Sequence, residues 1–204
     1  MKTMPYRSTI DARRELIQLA QTQGGYFTTR QAASVGYDRP HLDYHVNAGN
    51  FERIHRGIYR LADAPVTEHD QLIRLSLWSR GRDDQPQAVV SHETALGVHG
   101  LGELLPGNVH LTVPRTFRKL APKGCVLHKA KIAPNEIEPR EGFAVTAPLR
   151  TIVDVACGQT VTQDQLNDIV RQALSTGQVR RKLALGAAND QELHRLSVAL
   201  DAAG

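Results

Sequence analysis

Arg39, His41, Tyr44 and His45 are concentrated in nine residues of the sequence RPHLDYHVN, and Arg53, His55, Arg56 and Arg60 follow within FERIHRGIYRL. An arginine fork matches the O6 and N7 acceptors of guanine, so Arg39 at the start of a helix is suited to reading a base edge. His41, Tyr44 and His45 add ring nitrogens and a phenol within the next turn. The arginines and His55 of the second run suit phosphates or a minor groove. Thr29 and Arg30, just upstream, suit a phosphate held at a helix N-terminus. This grouping points to contact with double-stranded DNA.

Other chemistries are less well supported. His41 and His45 stand four apart, a metal-pair spacing, but no glutamate follows His41 as the zinc-protease motif requires, and no cysteine or acidic pair lies near. No metal and no cofactor are expected. His92-Glu93 with His99, plus Asp154, offers general acid–base groups. The simpler reading has Ser91 capping a helix with His92 and Glu93 in its exposed first turn. Arg150 and Asp154, at i and i+4, then form a structural pair. No catalytic residue is expected, and the chain is not expected to be an enzyme. Cys125 and Cys157 form no paired motif and read as packed thiols in a reducing setting.

The elements that must position the first group are legible. Asp11 is the expected N-cap of a first helix with Leu16, Ile17, Leu19 and Ala20 on its apolar face. Gly24-Gly25 ends it. Thr28 or Thr29 caps a short second helix, TRQAASVG, and Gly36 makes the turn. Asp38 caps a third helix with Pro40 in its first turn. Leu42 and Val46 are expected inside and Arg39, His41, Asp43 and His45 outside. Phe51, Ile54, Ile58, Tyr59 and Leu61 then form a hairpin turning at His55-Arg56-Gly57. Helix, turn, helix and hairpin make a winged helix-turn-helix, whose third helix enters a groove.

Asp63-Ala64-Pro65 is a polar break, giving expected domains 1–66 and 67–204. In the second, Thr67 opens a helix to about Ser79, and AVV, VHLTV, GCVLHK and GFAVT read as strands. PLRTIVDVACG is an amphipathic helix, and a capping box at Thr162 and Gln165 opens another. A last helix is expected from Asn189 to near Ala202. The whole is α/β (α+β): a winged head followed by a mixed α/β domain.

The net charge of +4 is unevenly spread. Residues 1–66 carry nine Lys/Arg against six Asp/Glu, while 104–135 carry six basic groups and no acid. Within that run Arg115, Arg118, Lys119 and Lys123 form a second basic surface, open to DNA, to a protein partner or to solvent. No apolar run is long enough to cross a bilayer, and the N-terminus has no secretory core. A cytoplasmic protein without membrane contact is expected.

The stretch GYFTTRQAASVGYDRPHLDYHVNAGNFERIHRGIYRL resembles the winged-helix domain of the AbiEi-like type IV (abortive infection) antitoxins. VVSHETALGVHGL, VHLTVP and VTAPLRTIVDVA resemble segments of that family's second domain. The resemblance implies an antitoxin that binds inverted repeats in its operon promoter, represses transcription of that operon, and counteracts a nucleotidyltransferase-like toxin with or without touching it. It offers no catalytic role for His92 or Asp154. Two alternatives stay open: a plain winged-helix transcriptional regulator whose second domain senses a ligand or dimerises, and a degenerate nucleic-acid enzyme. The last would need a carboxylate cluster that the sequence does not show.

Overall fold

The computed structural model describes residues 9–103, 107–188 and 193–204. They divide into two compact units, Met1–Gln87 with Glu141–Phe143, and Ala88–Arg140 with Ala144–Gly204.

The first unit opens with α1 (Thr9–Gln21), β1 (Tyr26–Thr28), α2 (Thr29–Ser34) and α3 (Arg39–Asn47). A hairpin of β2 (Phe51–His55) and β3 (Ile58–Leu61) follows, and then α4 (Asp70–Ser79). The helix expected to start at an Asp11 cap begins earlier, leaving Asp11 in its first turn. Leu16 and Ala20 are fully buried, with Phe27, Leu42, Phe51, Tyr59 and Leu61 in the same core. The three-residue β1 was not expected. It joins the hairpin in a three-stranded antiparallel sheet of order β1-β3-β2. Phe27 in this strand stacks on Tyr59 at 5.7 Å and meets Phe51 edge-on at 5.1 Å, which ties the hairpin to the helices.

α2 is closed by a capping box: Thr28 accepts from Gln31 N and the Gln31 side chain accepts from Thr28 N. Gly36, at φ +100°, makes the turn into α3 that a side chain would strain. Asp38 caps α3, its carboxylate accepting from the His41 backbone N–H at 3.0 Å, with Pro40 in the first turn. Beyond the 66/67 break, α4 packs on β1 and β3. The Tyr26 hydroxyl donates to Asp70 at 2.9 Å, and Asp70 in turn accepts from the backbone N–H and hydroxyl of Thr67.

The second unit is built on β4 (Val89–Val90), β5 (Val109–Val113), β6 (Cys125–Lys129), β7 (Ile137–Arg140) and β8 (Phe143–Thr146), in the order β6-β5-β4-β8-β7. β4 runs antiparallel to β5 and parallel to β8, and β5 runs parallel to β6. α5 (His92–His99) follows β4 and α6 (Pro148–Cys157) follows β8. α7 (Gln163–Ser175), α8 (Arg181–Ala188) and α9 (His194–Ala202) complete it. Leu96, Ile152, Leu166, Ile169, Leu196 and Leu200 are the centre of its helical core. The expected strands and amphipathic helices are present, including the Thr162–Gln165 capping box. β7 and α8 were not expected, and the expected start of the last helix at Asn189 lies outside the described residues.

Candidate nucleic-acid interface

α3 buries Leu42 and turns Arg39, His41, Asp43 and Tyr44 outward. Tyr44 is 66% exposed, its ring meeting that of His45 edge-on at 5.3 Å. His41 Nδ1 lies 2.8 Å from Asp38, so the cap fixes this imidazole at the N-terminal end of the helix. The His41 N–H also holds the Asp38 carboxyl below the usual carboxylate range.

His45 departs from the expected outward position. It is half-buried, its ring 4.9 Å from Phe51 and 5.5 Å from Tyr37, with Nδ1 within 3.1 Å of the Asn50 amide. Burial, with Arg13 and His41 nearby, lowers its pKa. It wedges α3 against the root of the hairpin through its ring contact with Phe51, the first residue of β2. Val46 is likewise only partly buried.

The wing projects Arg53, His55 and Arg56 into solvent. Its turn is Arg56-Gly57, with Gly57 at φ +76°. A register shift between Arg53 and His55 marks a bulge that changes which side chains face out. Arg60 is corrected most plainly: it is 6% exposed, with its guanidinium donating to the Ala64 carbonyl, 3.7 Å from Glu52 and over the Tyr26 ring. β3 is the central strand and packs against both α1 and α4, so Arg60 is an internal strut and meets no phosphate.

At the expected phosphate cradle of α2, most of the backbone part is occupied and the exposed Arg30 side chain remains. Thr28 N donates to Gln31, Thr29 N to the Gly57 carbonyl at 3.0 Å, and Gln31 N to Thr28. Three backbone donors at this end of α2 are therefore taken by protein. Thr29 is half-buried and joins α2 to the wing turn, while Arg30 is exposed and donates to the Arg82 carbonyl at 2.6 Å.

In the second unit Arg115, Arg118, Lys119 and Lys123 are all exposed on the loop from β5 to β6. Phe117 is buried at 4% and anchors the loop through its N–H to the Pro114 carbonyl at 2.9 Å. Lys119 is lowered by partial burial. Leu120 beside it is 90% exposed.

His92 and Glu93 do not lie in a simple exposed turn. Ser91 is the N-cap residue of α5 but makes no side-chain cap bond. Its hydroxyl accepts from Thr112 at 2.8 Å and lies 2.9 Å from His92 Nδ1. Glu93 is buried, accepts from the Thr160 hydroxyl and approaches His110 Nδ1 to 3.1 Å. His99 is elsewhere, on the Thr146 carbonyl at 2.7 Å. Arg150 pairs with Asp154 at 2.7 Å, as the spacing suggested, and reaches Glu136 at 3.1 Å. Sequence reasoning missed His110 and His128. Each sits alone in a strand, and only the β5–β6 pairing brings them beside α5. Among the described residues no group of three or more His, Cys, Asp or Glu is arranged to hold a metal ion. No helix there is long and apolar enough to cross a membrane.

A three-helix head with a β-wing on a mixed α/β chain is a winged helix-turn-helix fold. Residues 14–62 match the family described as "Transcriptional regulator, AbiEi antitoxin". The resemblance read in the head sequence therefore stands on the same residues that form the winged helix, and the matched family is one of regulators. Across the wider chain, the fold is similar to that of the RV2827C protein from Mycobacterium tuberculosis, known from its crystal structure. The TM-score is 0.56 at 16% identity, covering 97% of this chain and 78% of that one. No curated protein matches the sequence.

Proposed function

We propose that this chain is the antitoxin of a bacterial type IV, abortive-infection toxin–antitoxin pair and the autorepressor of its own operon. The observation that carries the reading is the coincidence of the AbiEi match at 14–62 with a winged helix exposing Arg39, His41 and Tyr44 on α3 and Arg53, His55 and Arg56 on the wing. α3 enters the major groove of each promoter inverted repeat. Arg39, His41 and Tyr44 read base edges, Arg30 and the wing cations hold phosphates, and Thr29 and His45 hold the two contact elements in place. No step requires a cofactor, and the protein acts without catalysis in the cytoplasm.

Residues 67–204 counteract a nucleotidyltransferase-like toxin, with the loop carrying Arg115, Arg118, Lys119 and Lys123 as a second polyanion-facing surface. Co-expression with the toxin encoded beside it tests this division. The full chain is expected to restore growth, and residues 1–87 alone, which keep α4 on the head, are expected to fail while retaining some DNA binding. Full protection by the head alone would contradict it. Absence of any neighbouring toxin would favour a plain winged-helix regulator with a ligand-sensing or dimerising second domain.

A further inference from the structure

Three imidazoles meet under the start of α5. The His92 and His128 rings stack at 3.6 Å and 15°, and His110 lies 5.2 Å from His128 and 5.9 Å from His92. They come from three elements: His92 opens α5, His110 is in β5 and His128 in β6. His110 Nδ1 is 3.0 Å from His128 Nε2 and 3.1 Å from Glu93 Oε2. His110 Nδ1 carries either one proton or one lone pair, so a single ring nitrogen joins His128 to Glu93.

The same cluster holds a strained backbone. His92 adopts φ +54°, a left-handed conformation that non-glycine residues rarely take. Ser91, the residue that would ordinarily cap the helix, spends its hydroxyl on Thr112 and His92. The first turn of α5 is therefore secured by the imidazole stack in place of a side-chain cap.

We propose that this cluster is a proton-controlled latch: neutral, stacked imidazoles hold the start of α5 closed, and proton uptake opens it. The charged and titratable groups facing the stack limit how much charge it accepts. Among the described residues, Glu93 is the carboxylate in direct contact with an imidazole of the cluster, and it offsets a single positive charge. Arg150 disfavours protonation of His92, although Asp154 and Glu136 engage its guanidinium. Burial and the neighbouring His128 push His92 down to about 4, and burial also lowers His128. A second cation in the stack would face a like charge across van der Waals distance. The ring contact then breaks, and His92 is free to leave its strained conformation.

Hydrogen exchange of the full chain between pH 7.5 and 4.5, corrected for intrinsic rates, tests the latch. Protection of residues 92–96 is expected to fall toward acid at least tenfold further than that of α7. His128→Phe preserves a stacked ring that cannot charge, and its α5 protection is expected to fall less steeply with pH than that of the wild-type chain. Unchanged protection of α5 in the wild-type chain would overturn the proposal. So would parallel loss in α7, which would mean global acid unfolding, or an equal loss in His128→Phe.

Discussion

Arg60 and Arg56 are four residues apart in one hairpin, yet their environments oppose one another. Arg56 is exposed at the wing turn, whereas Arg60 sits under α4 with its head bonded to the Ala64 carbonyl. Truncating a buried, paired cation leaves its partners unsatisfied, so Arg60→Ala is expected to lower the head's stability by about 2–4 kcal/mol. Arg56→Ala is expected to leave stability within about 0.5 kcal/mol of wild type and to weaken binding to all duplexes alike. Urea unfolding and a salt titration of DNA binding separate the two. Equal stability of both variants would refute the buried role of Arg60. Nothing local distinguishes these arginines, because the burial of Arg60 depends on α4, which begins nine residues beyond the end of β3. Asp38, by contrast, was legible because a cap and the amide it accepts from are neighbours in sequence.

At the scale of elements, the position of α3 rests on its cap, on Gly36 and on the ring contacts of Tyr37, His45 and Phe51. Asp38→Ala removes the cap and is expected to cost about 1 kcal/mol in urea unfolding, with a further loss in operator affinity because His41 loses its anchor. Asp38→Asn keeps a capping oxygen and sheds a negative charge, so it is expected to recover most of the stability and to bind DNA at least as tightly as wild type. Poorer binding by Asp38→Asn than by Asp38→Ala would contradict the capping account. The helices and most strands were readable from their apolar periodicity and caps. β1 was not, since three residues give no alternation to read and its identity comes from pairing with β3. The imidazole cluster was hidden for a related reason. His110 and His128 are joined by a parallel pairing across an eleven-residue loop, a long-range fact with no local signature.

For the whole molecule, the histidines set the acid side of the stability profile. A histidine whose folded pKa is depressed contributes stability in full above its unfolded value of 6.5 and loses it as pH falls toward the folded value. His92, at about 4 when folded, therefore places the loss between pH 6.5 and 4, and His128 adds to it. Thermal unfolding across that window is expected to show a falling midpoint in wild type and a shallower fall in His128→Phe. A midpoint flat from pH 7 to 4.5 would contradict the buried neutral cluster. The break at residues 63–65 was legible as a change of composition, but it does not mark the edge of the first compact unit, which continues through α4 to Gln87. The wing and α3 remain the part of the chain where sequence, fold and family match coincide.

The measurement that bears most directly on the central claim is a mobility-shift titration against the DNA upstream of the chain's own gene, with scrambled DNA as the competitor and Arg39→Ala alongside. Specific binding that weakens steeply with salt, and a loss of about 1–3 kcal/mol of sequence preference in Arg39→Ala, is the expected result. Equal affinity for the upstream and scrambled DNA, unchanged by the substitution, would contradict the assignment of the winged head as an operator-reading domain.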